Sequence, residues 1–310
     1  MDSSTAASPY SEAKAPMERL DIFLTKKLAT SRAQIQKLIK SGAVTIGGKA
    51  ATAHTLVREG DVVVHPPLSK PTKKKALTVD IPVIYEDDDV LVIDKPAGII
   101  VHPMNETDKR TSVIGSLVQS RPALKKVGES KLRPGIVHRL DKAVSGVMVI
   151  AKNNATFEDL KRQFAERKVE KEYVALVYGR MAKDLGTIDF KIARSKTLGR
   201  MVSRPEGQEG KEASTEYEVV DRFKTATLVD VKIHTGRTHQ IRTHFKAIGH
   251  PVVGDMLYHT KIVNIRPIKM DRLFLHAKRL SMTLPDQSRK TFEVPLPEPL
   301  MQILANLPRV

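Results

Sequence analysis

The basic residues of this chain are crowded toward one end. Residues 17–77 hold 12 Lys/Arg against 4 Asp/Glu, a net charge of +8 over 61 residues. The 16 residues before them net −1, so the 233 that follow carry +10 of the total +17. A step of about threefold in charge density predicts two bodies, and a small, strongly basic one is the electrostatic footprint of a nucleic-acid tether. The expected division is a disordered tail over 1–16, an RNA-binding segment with a basic linker (KPTKKK, 70–75) over 17–77, and a larger domain over 78–310.

Composition narrows what those bodies do. At 310 residues with 41% apolar residues, the chain has enough material for two folded domains and a substantial core. No run reaches the roughly 18 uncharged apolar residues that a membrane helix requires. Cysteine is absent, which removes disulfide scaffolds, Cys-ligated zinc, iron–sulfur clusters and thiol nucleophiles. The first 16 residues have no apolar stretch for a signal peptide and a single base, Lys14, so a cytoplasmic location is expected.

Within 17–77 the pattern is helical and then extended. Leu20, Phe23, Leu24 and Leu28 follow i, i+3, i+4, i+8. Ser31 is placed to cap a second helix with Ile35, Leu38 and Ile39 as its apolar stripe and Gly42 as its stop. Val44 and Ile46 alternate before a Gly47-Gly48 turn, and Val62–Val64 reads as a short strand. RLDIFL, SRAQIQKLIKSGAVTIGGKA and REGDVVV in this order resemble the S4 RNA-binding module, although Gly47 stands where that family usually has Asn. The resemblance implies Arg32, Lys37 and Lys40 as phosphate contacts, which supply affinity without reading sequence.

Beyond residue 78 strands and helices mix irregularly, which predicts an α+β domain on a mixed, mostly antiparallel sheet with flanking helices. Val90–Ile93 and Tyr173–Tyr178 read as strands, as does Thr227–Ile233. Val147–Ala151 is uncharged on both faces and is expected at the centre of the sheet. Phe157, Leu160 and Phe164 mark an amphipathic helix after Asn153-Asn154. Another helix is expected from near Thr238, with Ile241, Phe245 and Ile248 on one face and Gly249 at its end. No G-x-G-x-x-G or P-loop follows any strand, so no nucleotide cofactor is expected.

Three stretches are richer in polar groups than packing requires. Asp141, in GIVHRLDK (135–142), precedes the apolar strand, although an isolated Asp there reads more readily as a cap or turn residue. Tyr173 follows Lys171-Glu172 at the expected start of a strand, where alone it reads as the edge of a core. The third stretch, HTGRTHQIRTH (234–244), with His250 beyond it, supplies four histidines. His239 and His244 are five apart rather than four, which argues against a shared metal. Arg242 falls in the first turn of the expected helix, where the macrodipole disfavours a cation, so an anionic partner such as a buried carboxylate is expected.

EDDDVLVIDKPAGIIVHP (86–103), GIVHRLDKAVSGVMVIAKN (135–153), VEKEYVALVYG (169–179), HTGRTHQIRTHFKAIGHPVVGD (234–255) and LHAKRL (275–280) together resemble the RluA-type pseudouridine synthases. The resemblance spans 78–310. It implies Asp141 as the catalytic aspartate, Tyr173 as the aromatic near the base, and Ile241 with Arg242 as the apolar–basic pair beside Asp141. Arg139 would fill the gap left by the flipped nucleotide, and His138 and Leu275 would contribute to the substrate pocket. Family members commonly read HRLDKDTSG, whereas Ala143 and Val144 stand here, which leaves the support of the active-site loop in question.

The implied reaction converts uridine to pseudouridine: the N1–C1′ bond breaks and C5 takes its place. Nothing is exchanged with a second substrate, so neither metal nor cofactor is expected. The expected partner is RNA, foremost 23S-type ribosomal RNA or a pre-ribosomal particle, with no membrane and a monomeric enzyme. A transfer-RNA substrate, or a catalytically silent RNA-binding or ribosome-assembly protein of the same family, are the alternatives.

Overall fold

Strand Ser145–Ala151 is buried at all seven positions and stands inside a nine-stranded sheet, as its uncharged faces predict. The computed structural model describes residues 11–13, 18–58, 60–66, 78–195, 197–205, 207–259 and 267–309. It divides the chain into two units, Met1–Lys75 and Ala76–Val310. Of the expected tail only Ser11–Ala13 is described, and it forms a strand paired with Val63–His65. The expected linker at Lys70–Lys75 lies outside the described residues.

In the smaller unit, helices Leu20–Lys27 and Arg32–Lys40 pack on a four-stranded sheet around Leu20, Leu24, Ile35, Val44, Val57 and Val63. Ser31 caps the second helix by accepting the Gln34 amide, and Gly42, at φ +77°, ends it. Asp21 is fully buried, and its carboxylate accepts bonds from Arg19, Arg32 and Gln36. Burial pushes this carboxyl up, but those donors outweigh it and hold it far below the usual range. Arg32, exposed on the second helix, turns its guanidinium onto Asp21 at 2.8 and 2.9 Å. Lys37 and Lys40 are exposed on the same helix.

In the larger unit the sheet runs Leu185–Ile188, Thr215–Arg222, Ala226–Ile233, Glu170–Tyr178, Leu275–Thr283, Ser145–Ala151, Val90–Lys95, Val83–Glu86. Strand Leu275–Thr283 changes partner along one edge. His276 and Ala277 pair in parallel with Ser145 and Gly146, and Arg279–Thr283 pairs antiparallel with Arg289–Glu293. Every other pairing in the sheet is antiparallel. Helix Asn154–Ala165, capped by Asn153 accepting the Thr156 amide, lays Phe157 and Leu160 into the core. Among the described residues no helix is long and apolar enough to cross a membrane.

Gly146 makes the parallel junction possible. Its φ is +119°, and a Cβ there would lie 2.1 Å from the Ala277 carbonyl oxygen. Gly146→Ala therefore requires the junction to open in addition to left-handed backbone strain. We expect a loss of about 3 kcal/mol or more, seen as a Tm lower by roughly 6–12 °C in thermal unfolding. An unchanged Tm would show that the junction yields freely.

Candidate active site

Where the central strand begins, a pocket of about 460 Å³ collects residues from four separate segments. Asp141 comes from the loop before Ser145–Ala151, Tyr173 from Glu170–Tyr178, Leu275 from the head of its strand, and Ile241 and Arg242 from helix Gln240–Ala247. Tyr173 is the fourth residue of its strand rather than the first, because Glu170–Glu172 already pair with Arg279–Ser281. The register shifts between Glu172 and Tyr173 on that edge. Arg139 is exposed on the lining, and Ile241 and Leu275 form buried apolar wall.

The loop carrying Asp141 is held largely through its main chain. Lys95, fully buried at the end of its strand, donates Nζ to the carbonyls of Pro96 (2.9 Å), Val144 (2.8 Å) and Lys142 (3.4 Å). Burial pushes its pKa down to about 7, opposed by the charge of Asp141. The Gly98 amide donates to the Lys142 carbonyl at 2.8 Å, and the Val144 amide to that of Asp141 at 3.1 Å. His138 accepts the Val149 amide on Nε2 at 3.0 Å and stacks on Phe164. Burial pulls its pKa down to about 3, which keeps the ring a neutral acceptor. Val144 is buried and Ala143 packs against the core, so the two departures from HRLDKDTSG serve as apolar packing.

Arg242 has the anionic partner its position demands, and a second one. Its Nη1 donates to Asp141 Oδ2 at 3.0 Å. The bidentate fork goes to Asp255, through Nε at 2.7 Å and Nη2 at 2.9 Å. The Asp255 side chain is wholly buried and also accepts the Leu257 and Tyr258 amides. Burial pushes its carboxyl up, but Arg242 and the two amides outweigh that and hold it below the usual range. The guanidinium lies 5.0 Å from the Tyr258 ring centroid.

His239, at the N-terminus of the same helix with φ +57°, completes the polar side of the pocket. Its Nδ1 is 2.8 Å from the Tyr258 hydroxyl, and its Nε2 is 3.7 Å from Asp141 Oδ2. Burial lowers its pKa more than the Asp141 charge raises it. Burial carries the Tyr258 phenol up to about 12. Tyr173 is buried, and burial together with the Asp141 charge holds its phenol well above the usual range, so it is protonated at neutral pH.

The four histidines of the third stretch diverge. His239 faces Asp141, His234 lies beside Glu216, His244 bonds the Phe190 carbonyl, and His250 bonds that of Tyr178. Among the described residues no group of three His, Asp or Glu is placed to hold a metal. Sequence reasoning missed Asp255, His239, Tyr258 and Lys95 as parts of this network. Two signals were present: a lysine closing a strand that opens with four apolar residues, and a carboxylate following the apolar run Pro251–Gly254. The arrangement as a whole offers one carboxylate, held by a cation, to a cavity with an apolar wall of Ile241 and Leu275, a basic rim and the Tyr173 ring on one side.

Comparison with known proteins shows which families the chain is similar to. Residues 89–247 match the RNA pseudouridylate synthase family and residues 18–63 the S4 domain. An uncharacterized RNA pseudouridine synthase of Aquifex aeolicus (strain VF5) is 47% identical over 78% of this chain and 77% of its own. One from Bacillus subtilis (strain 168) is 38% identical over 94% of each. The ribosomal large subunit pseudouridine synthase D of Nitrosomonas europaea is 36% identical over 94% of this chain and 85% of its own. Among solved structures, human RNA pseudouridylate synthase domain containing 1 aligns with a TM-score of 0.58 at 28% identity. That alignment covers 77% of this chain and 91% of the human one.

Proposed function

Because the chain belongs to the RNA pseudouridylate synthase family and carries an S4 domain, we propose that it isomerises specific uridines of 23S-type ribosomal RNA to pseudouridine. The observation that carries the chemistry is Asp141, charge-paired with Arg242 and facing a cavity beside Tyr173, Ile241 and Leu275. The large-subunit substrate is supported by the Nitrosomonas relative, whose name states it, and such a substrate implies action in the cytoplasm.

The target uridine leaves its stack at a cost of a few kcal/mol and enters the pocket. Arg139, exposed at the lining, is suited to occupy the space it vacates. Ile241, Leu275 and the Tyr173 ring enclose the base, and His138 holds the loop that presents Asp141. Asp141 assists cleavage of the N1–C1′ bond, with Arg242 Nη1 donating to its Oδ2 and fixing its position. The loosened uracil turns on the Tyr173 face, C5 bonds to C1′, the C5 proton departs, and N1 takes a proton. Release of tritium from uracil-5-labelled, unmodified 23S-type ribosomal RNA tests this directly. Stoichiometric release with pseudouridine formed is expected, and release from transfer RNA alone would overturn the assigned substrate.

The S4 domain supplies affinity through Lys37 and Lys40, both exposed on helix Arg32–Lys40. Replacing both by Gln should lower the steepness of log K against log salt by about 1.4–1.8, with single-turnover rate unchanged at saturating RNA. An unaltered slope would make the two lysines solvated surface.

A further inference from the structure

Beside the candidate active site lies a second and larger cavity, of about 900 Å³, to which no role has been given. One wall is the hairpin of strands Lys191–Arg194 and Met201–Arg204, and another is the segment Gln208–Lys211. The third is the turn Gly236–Thr238, and this turn also lines the first pocket. The two spaces are therefore neighbours across three residues. Gln240 makes that boundary firm, accepting the Thr235 hydroxyl and the Arg237 amide while donating to Ser214 and Thr215.

The charge lining this cavity is mostly of one sign. Arg194, Arg204, Lys211 and Arg237 line it, against a single carboxylate, Glu209. Arg194 donates to the Gly199 carbonyl, Arg204 to the Gln208 side chain and Arg237 to the Glu212 carbonyl. Among the described residues none of the four cations has a carboxylate within ion-pair distance. Other cations of the same unit do meet carboxylates: Lys278 meets Asp230, Arg222 meets Asp184 and Arg279 meets Glu172. Four cations without a carboxylate partner among the described residues, gathered in one concave site, want a polyanion. The lining has no aromatic side chain on which a base could stack, while Ser195, Thr197 and Gln208 add neutral polar groups. Such a site holds sugar–phosphate and leaves bases unread.

We propose that this cavity is a backbone-binding site for the RNA strand next to the target uridine, gripping its phosphodiesters without sequence selection. It rests on the function proposed above and adds where, and by what chemistry, the flanking strand is held. Arg237, on the shared turn, sits where the strand passes from the cavity to the flipped nucleotide.

The test uses the full chain and a short ribosomal RNA fragment spanning a uridine that the enzyme converts. In one version of the fragment the phosphodiesters flanking that uridine are neutral methylphosphonates. Two lost contacts, each scaling as about the −0.7 power of salt, weaken binding roughly tenfold at 0.15 M. The double variant Arg194→Gln/Arg204→Gln should show this as a higher KM with kcat within about twofold, the signature of lost uniform binding. The neutral linkages should raise KM for the wild type and add little for the variant, because the two changes remove the same contacts. Arg194→Lys/Arg204→Lys should restore the salt slope, since a phosphate accepts a point charge. An unchanged KM, or losses from variant and neutral linkages that multiply in full, overturns the proposal. Equilibrium binding of the same fragment reads the salt slope independently of turnover. A wild type that converts no uridine therefore defeats the proposed function while this site is still decided.

Discussion

Asp141→Asn should bring turnover down by at least about 10⁴-fold, the scale seen when a reacting group is removed from a unit that acts together, while RNA affinity stays within about twofold. The replacement is isosteric and retains an oxygen to accept Arg242 Nη1, so the loop held by Lys95 and Gly98 has no reason to move. Affinity comes mainly from phosphates, which Asp141 does not touch. Single-turnover tritium release and filter binding on the same preparation check both halves. Pseudouridine formed by the variant over hours would take the chemistry away from Asp141.

Arg242→Met should be costly in two separable ways. It deprives Asp141 of its cation, and it strands Asp255, whose carboxylate is wholly buried. Breaking a buried pair from one side costs about 3–5 kcal/mol, so the Tm should fall by roughly 6–20 °C. Removing both charges, in Arg242→Met/Asp255→Leu, should recover most of that stability and none of the rate. Arg242→Lys keeps the charge but offers no planar fork, so it cannot grip Asp255 with two nitrogens and still reach Asp141. A rate loss of at least about tenfold is expected, or 1.4 kcal/mol of barrier. Because the folded Asp255 carboxyl is held low, its contribution is intact above the unfolded value of about 3.9 and is lost as the pH falls through the folded one. Thermal unfolding and single-turnover rates of the four proteins decide the matter. A double variant that regained the rate would end the argument that Arg242 acts through Asp141.

Those two carboxylates illustrate what a sequence discloses and what it withholds. The Ser31 cap, the Gly42 and Gly249 stops and the burial of Val147–Ala151 were legible because each depends on residues within one turn or one strand. Arg242 could be assigned an anionic partner from its helix position alone, because the macrodipole is a local property. Which partner takes the fork was not legible: Asp255 and Asp141 reach the same guanidinium from different loops. The ion pair of Arg32 with Asp21 was hidden for a similar reason. The helical spacing displays Leu20, Phe23 and Leu24 as core, but not that Asp21 between them points inward and needs a cation. The cavity beside the site was invisible because the hairpin that walls it is partly exposed along its length and shows no strong alternation.

Lys95 offers its ammonium to three main-chain carbonyls and to no side chain of the loop it steadies. The grip is therefore indifferent to which side chains the loop carries, and positions 143 and 144 are free to drift so long as they pack. A library randomised at Ala143 and Val144 should accept small and medium apolar residues broadly, and polar ones where they still fit. The same library at Lys95 should return almost nothing but lysine, since only its ammonium aims three donors from a single atom, while arginine spreads its five over a flat, bulkier fork. The tolerance of the motif would thus be written fifty residues upstream of it.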